Sequence, residues 1–307
     1  MKKVVITGAS GFVGSAVIKN ILERDVQVLA LDVIDDPSFR LDLANPKLTY
    51  KKCDIFQLDE VRKYLLDGGF DAFYHFAWIG SAGPLREDID VQTKNATGTV
   101  ELLKLANECN IKKFICAGTI MEFETFSAIY AQGNKPQMSY IYGVGKQLAH
   151  LLCKPIANKL GIDLVWAYIT NAFGVGEKSP RLINSTIRKC IKGEPLEFTS
   201  GTQKYDFLYI DDVAEAFYLL GEKGKANKSY VIGSGKAGPL RTFLEKAVRM
   251  CDANAKPLFG NMPFTGTDLD INVFSIQELQ DDCGFKPKVS FEDGIKRTFE
   301  WLRKEEA

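Results

Sequence analysis

An α/β fold is predicted, a doubly wound parallel sheet with a smaller C-terminal α/β domain. Three observations predict it. Short apolar runs alternate with longer amphipathic segments through the first two-thirds of the chain, the pattern of repeated strand–helix–strand units. Runs such as Val4–Ile6 and Val28–Leu31 are apolar without alternation, as strands covered on both faces require. The opening MKKVVITGASGFVG reads as a strand, a glycine-rich turn and a helix start.

Taken in order, the expected strands are Val4–Ile6, Val26–Leu31, Thr49–Cys53, Asp71–Phe76, Lys113–Ala117 and Asp163–Tyr168. Helical patterns fall between them at Gly11–Glu23, Leu58–Leu66, Asp88–Cys109 and Ser139–Leu160. The last contains Gly143, Gly145 and Pro155. Inside a helix a glycine costs about 1 kcal/mol and a proline about 3 kcal/mol against alanine, so a kink is expected near Leu151–Leu152. After Gly174 the rhythm changes. A helix at Arg181–Lys192 precedes strands at Leu196–Thr199 and Phe207–Ile210, a helix at Asp211–Leu220, a strand at Ser229–Ile232 and helices at Pro239–Cys251 and Phe291–Lys304. Residues 1–170, joined by about 206–235, are expected to form the sheet domain. Residues 171–205 and 236–307 then form the smaller one, with a ligand in the crevice at the carboxyl ends of the strands.

Composition narrows the class. The chain has 307 residues, 46% of them hydrophobic, and 39 basic against 39 acidic side chains. The balance points to neither nucleic acid nor an anionic membrane as partner. Seven cysteines stand apart with no CxxC pair, and no metal site is read from them. No apolar leader or long apolar span occurs, and a soluble cytoplasmic protein is expected.

Gly8, Gly11 and Gly14 follow the first strand at intervals of three. A strand, a glycine turn and a helix N-terminus together make a pyrophosphate cradle, because backbone N–H groups and the positive end of the helix dipole face the anion. Phe12 and Val13 lie within the same turn. Asp32 closes the second strand, where a carboxylate accepts from ribose hydroxyls and repels a 2′-phosphate. NAD is therefore expected over NADP, although Arg40 lies close enough in sequence to serve a phosphate. Asp54, followed by Ile55, is placed to meet adenine, and equally to cap the next helix.

Tyr142 and Lys146 stand four apart in SYIYGVGK and so share a helix face. A phenol is a weak base until a nearby ammonium favours its phenolate, after which it can take a proton from an alcohol. Thr119, at the end of FICAGT, is positioned to bond the reacting oxygen or to cap a turn.

With TGASGFVG, HFAW, NATGT, FICAGT, YGVGK, TNAFG and YDFLYIDDVA in this order, the chain resembles extended short-chain dehydrogenase/reductases of the NAD-dependent epimerase/dehydratase family over nearly its whole length. The resemblance implies a Rossmann-like sheet, NAD, a nucleotide-linked sugar as substrate, a homodimer through the helices at Asp88–Cys109 and Ser139–Leu160, and Thr119, Tyr142 and Lys146 as catalytic residues. It also implies that Phe76, Ala77 and Asn95 serve the cofactor, and that Trp78, Thr119, Glu122, Asn171 and Tyr205 serve the substrate. His75 reads as a satisfied buried histidine.

The chain departs from the pattern in two respects. Dehydratases of the family carry an Asp–Glu pair directly after the threonine. Here Ile120 and Met121 follow, so a dehydratase is disfavoured. Tyr168 and Tyr205 stand where many relatives have arginine, which leaves the diphosphate to Arg181, Lys204 or Arg241, or the ligand without a nucleotide. A 4-epimerase is expected. A 4-ketoreductase fits the same residues, and a non-catalytic NAD sensor is the rival from another class.

Overall fold

The computed structural model describes every residue except Asp67, Gln132, Asn134 and Ala307. Its first part runs β1 (Lys3–Thr7), α1 (Phe12–Leu22), β2 (Gln27–Asp32), β3 (Leu48–Lys52), α2 (Leu58–Leu65), β4 (Ala72–His75), α3 (Ile89–Glu108), β5 (Lys113–Thr119), α4 (Met121–Tyr130), α5 (Ile141–Leu160) and β6 (Asp163–Ile169). There follow β7 (Asn171–Phe173), α6 (Leu182–Lys192), β8 (Glu197–Phe198), β9 (Lys204–Tyr205), β10 (Phe207–Tyr209), α7 (Ile210–Lys223), β11 (Lys228–Ile232), β12 (Gly238–Pro239), α8 (Leu240–Cys251), β13 (Leu258–Phe259), α9 (Gln277–Cys283) and α10 (Phe291–Glu305).

Seven strands make one all-parallel sheet in the order β11-β6-β5-β4-β1-β2-β3. From β1 the sheet grows towards β2 and β3 on one side and towards β4, β5 and β6 on the other. This reversal opens a crevice at the carboxyl ends of β1 and β4. Both faces are covered, as the unbroken apolar runs require. Val4 and Ile6 point into a core shared with α1, α7 and the C-terminal elements, and Val5 points into a second core with α2, α3 and α5. The pairs β7–β10, β8–β13 and β9–β12 lie outside the large sheet and carry the C-terminal segments over the crevice.

Two local features stand out. First, α5 is one continuous helix from Ile141 to Leu160 with Pro155 inside it. Pro155 and Leu151 are both exposed, so the Leu151 carbonyl that loses its donor lies on the outer face of the helix. Second, the stretch between Thr119 and Ser139 suggests no element in the sequence, yet α4 forms there. Its pattern is inverted: Glu122, Thr125 and Ala128 are buried while Phe126, Ile129 and Tyr130 are exposed. A helix whose apolar stripe faces solvent gives no ordinary amphipathic signal. Among the described residues no helix is long and apolar enough to cross a membrane.

Candidate active site

Two adjoining cavities open at the carboxyl edge of the sheet, with Tyr142, Ser81, Ala82 and Arg181 lining both. The first, about 530 Å³, is walled by Gly8, Gly11, Phe12, Val13, Gly14, Asp32, Asp54, Ile55, Phe76, Ala77, Trp78 and Lys146. Gly8 has φ +67°, and a Cβ there would lie 2.6 Å from the Ala77 nitrogen. Only glycine lets β1 turn into α1 while β4 passes this close. The α1 N-terminus has no side-chain cap, which leaves its N–H groups facing the cavity. At the far end, the Asp32 carboxylate accepts from Ser10 N–H at 2.8 Å, Ser10 hydroxyl at 2.7 Å and Val33 N–H at 2.7 Å. Asp54 lines the cavity while one of its oxygens accepts from Phe56 N–H at 3.0 Å; it does not cap α2, whose N-cap is Gln57 and which has no side-chain cap. Arg40 also lines it, and donates to the Gly176 carbonyl at 2.7 Å. A glycine cradle, free helix N–H groups and a carboxylate at the second strand's end fit a dinucleotide without a 2′-phosphate.

Asn95 does not line this cavity. It is buried on α3, and its amide bonds both backbone groups of Ile79, receiving at 3.1 Å and donating at 2.7 Å. Its place is behind the cavity wall, where it fixes the loop after β4. His75 is likewise fully satisfied. Thr99 gives its hydroxyl proton to the Asn95 carbonyl and so accepts from His75 Nε2–H at 3.0 Å, while Nδ1 accepts from Thr7 at 2.8 Å. Burial, with Lys146 nearby, pushes the His75 pKa down to about 3, and the ring is neutral.

The second cavity, about 420 Å³, is lined by Thr119, Tyr142, Asn171 and Tyr205 together with Arg86, Glu124, Arg181 and residues of β7, the start of α6 and β10. Tyr142 reaches it from α5, while Lys146, one turn further on, lines the cofactor cavity. Lys146 donates to the Ala117 carbonyl at 2.7 Å and sits 3.8 Å from the Trp78 ring centre. Trp78 meets Tyr142 edge to face at 6.3 Å and is anchored through Gln92, whose Oε1 accepts from its indole N–H at 2.7 Å. α5 comes this close to α4 because residue 143 is glycine. A Cβ there would lie 2.0 Å from Thr125 Oγ1. The helix-weakening glycine of the sequence is thus what brings Tyr142 beside Thr119.

Glu122 and Tyr168 face the opposite side of α4. Glu122 is buried; one oxygen accepts from Thr119 N–H at 2.9 Å and Trp166 indole N–H at 3.1 Å, and the other lies 3.7 Å from His150. Tyr168 pairs with His150 at 3.1 Å, and burial raises its pKa to about 12. Both line a separate cavity, about 930 Å³, between α4 and α5. Glu122 therefore holds the backbone of Thr119 from behind, and Tyr168 is no part of the substrate wall. Lys204 and Arg241 do not line that wall either: they pair with Asp268 and Glu245.

Two charged side chains of the second cavity stand in none of the motifs read from the sequence. Glu124 sits two residues from Glu122, about 200° around the helix, and faces the cavity. Burial pushes its pKa up to about 7, with Arg86 pulling it back. Arg86, on the short 3₁₀ turn Pro84–Glu87, lies over the Tyr142 ring, its guanidinium carbon 4.8 Å from the centre. Neither belongs to a motif. In the sequence they are ordinary charged residues.

A nucleotide crevice beside a Tyr–Lys helix at the edge of a parallel sheet defines the extended short-chain dehydrogenase/reductase class. The chain belongs to the NAD dependent epimerase/dehydratase family, whose model matches residues 4–233, and NAD is its cofactor. Similar proteins include a trifunctional UDP-glucose 4,6-dehydratase/UDP-4-keto-6-deoxy-D-glucose 3,5-epimerase/UDP-4-keto-L-rhamnose-reductase of Arabidopsis thaliana, 25% identical over 98% of this chain. This chain spans about half of that relative, 47% of its length. A UDP-glucuronate 4-epimerase of Thermodesulfobacterium geofontis is 25% identical, over 97% of this chain and 95% of its own. Among solved structures, UDP-glucose 4-epimerase from Thermotoga maritima superposes with TM-score 0.82 at 21% identity, covering 99% of this chain and 100% of its own. Dehydratase, epimerase and reductase activities all occur among these relatives.

Proposed function

We propose that this protein is an NAD-dependent nucleotide-sugar 4-epimerase working through a 4-keto intermediate. The observation that carries the reading is the meeting of the two cavities at Tyr142, with Lys146 on the cofactor side and Thr119 on the substrate side. NAD, when bound, accepts hydride from the sugar carbon and returns it. Gly8, Gly11, Gly14 and the α1 N-terminus would hold its pyrophosphate, and Asp32 its adenosine ribose. Tyr142 removes the hydroxyl proton as the ketone forms and gives it back after the ring has turned. Lys146, held by the Ala117 carbonyl and the Trp78 ring, supplies positive charge on the cofactor side, and Thr119 bonds the reacting oxygen. Asn171 and Tyr205 hold the substrate from the C-terminal side. Burial keeps the Tyr205 phenol neutral, with its pKa at about 12, so it serves as a neutral hydrogen-bonding group.

Ile120 and Met121 bring no proton-transfer group to the position where a dehydratase needs one, which supports epimerisation over elimination of water. The assembly is taken to be a homodimer through α3 and α5, supported by the exposed Leu151 and Leu152 on α5. A reducing, cytoplasmic setting is supported by seven unpaired cysteines.

The test is incubation of the purified protein with UDP-, dTDP- and GDP-sugars and their 4-keto derivatives, following absorbance at about 340 nm and product stereochemistry. Epimerised product with no net change in reduced cofactor is expected. Stoichiometric loss of NADH indicates a ketoreductase, a 4-keto-6-deoxy product a dehydratase, and NAD binding with no turnover a sensor. Each of these overturns the reading.

A further inference from the structure

We propose that Arg86 is a substrate-recognition residue, and that the sugar ring received beside Tyr142 carries a carboxylate next to the reacting carbon. The proposal rests on the reading of this cavity as a nucleotide-sugar site. Arg86 is half-buried; among the described residues its guanidinium meets the Met121 thioether, and its Nε is buried with no partner. Arg181, in the same cavity, is already paired, with Nε 3.1 Å from Glu177. Arg86 thus holds its charge in a half-buried cavity where Glu124 acts on it only at a distance, with no carboxylate in ion-pair contact among the described residues. Burying a guanidinium this way is unfavourable unless an anion completes it.

Position decides which anion. Arg86 lines the substrate cavity alone, with its guanidinium carbon 4.8 Å from the ring centre of Tyr142, the residue at which the two cavities meet and beside which the reacting carbon must sit. A diphosphate, bridging sugar and nucleoside, extends away from that junction. The anion met by Arg86 is thus a ring substituent. A planar fork of N–H groups matches a carboxylate through two parallel bonds, whereas a hydroxymethyl group offers it one weak acceptor. Glu124 shares this wall, and burial leaves it able to hold a proton near neutral pH. Beside an occupied Arg86 it donates to the substrate carboxylate instead of repelling it.

The test uses matched neutral and acidic sugars: UDP-glucose with UDP-glucuronate, UDP-galactose with UDP-galacturonate, and GDP-mannose with GDP-mannuronate. Turnover and binding to the NAD-loaded protein are measured for wild type, Arg86→Met and Arg86→Lys. The expected result is a preference of about thirty-fold or more in kcat/KM for an acidic member, carried by KM. Arg86→Met should collapse that ratio to near unity, and Arg86→Lys should restore part of it. Equal handling of both members by the wild type overturns the proposal and leaves the epimerase reading standing. So does an Arg86→Met that weakens both members equally, the signature of a diphosphate contact. If no nucleotide sugar binds or reacts, both readings fall.

Discussion

The two cavities that meet at Tyr142 are built in different ways. The cofactor cavity is floored by a turn and strand ends, the Gly8–Gly14 turn, Asp32 closing β2, Asp54 and Ile55 after β3, and Phe76–Trp78 after β4, while Phe39, Arg40, Glu177 and Arg181 come over it from loops. The floor pieces follow directly from strands of the sheet, so their place is set once the sheet forms. The substrate cavity is assembled from separate segments around residues 81–86, 119–124, 139–142, 170–173, 180–183, 205–207 and 265–266. Two of its charged groups, Arg86 and Glu124, come from a 3₁₀ turn and an inverted helix. Chemistry that every member of the class needs is written into contiguous motifs. Chemistry that distinguishes one substrate from another is written into loops that only the fold brings together.

Substitutions can test this contrast, beginning with the residue both cavities share. Tyr142→Phe should lower kcat by about a thousand-fold or more while NAD affinity, measured by fluorescence titration, stays within about two-fold. A parallel loss of NAD binding would show that the cavities are not separable at this residue. Glu122→Ala leaves the Thr119 and Trp166 N–H groups buried without an acceptor and should destabilise the fold by about 3 kcal/mol in urea unfolding, whatever the substrate. Gly8→Val forces a side chain to φ +67° against Ala77 and should weaken NAD binding by about a hundred-fold. Unimpaired binding would place the pyrophosphate elsewhere.

The smallest effect belongs to Glu124. Its pKa is about 7 in the folded chain against an ordinary 4.5, so the folded state holds the proton more tightly. Stability from this group is therefore greatest below pH 4.5 and is lost as pH rises towards 7. Glu124→Gln should remove that decline, flattening the wild-type profile by about 2 kcal/mol between pH 5 and 8 in urea titrations. Near pH 5 it should cost little. An unchanged profile would mean that Glu124 faces water rather than the cavity.

Legibility in the sequence follows the same division. The strands of the large sheet and the glycine turn were readable because a strand buried on both faces must be apolar throughout and a pyrophosphate turn must lack side chains. Trp78, which the resemblance puts on the substrate side, lines the cofactor cavity, with Lys146 over its ring face and Tyr142 edge to face with it. Gly143 was legible only as a cost, since a glycine inside a helix signals weakness until the neighbour that needs its space is known. Glu122 and Glu124 show the limit most plainly. Two identical side chains in one short helix take opposite roles, one bonding the Thr119 backbone and one facing the cavity, and the usual apolar stripe that would orient the helix points to solvent.

By itself the sequence determined the class of fold, the cofactor and the Tyr142–Lys146 pair, because each depends on spacings within a few residues of one strand or one helix turn. Only the tertiary structure decided that Asn95 and Glu122 stand behind the cavity walls, that Tyr168 leaves the substrate site, and that Arg86 comes over Tyr142. Those placements depend on distances between segments far apart in the chain. They are set by how closely α5 packs on α3 and α4, and no local pattern of residues records that separation.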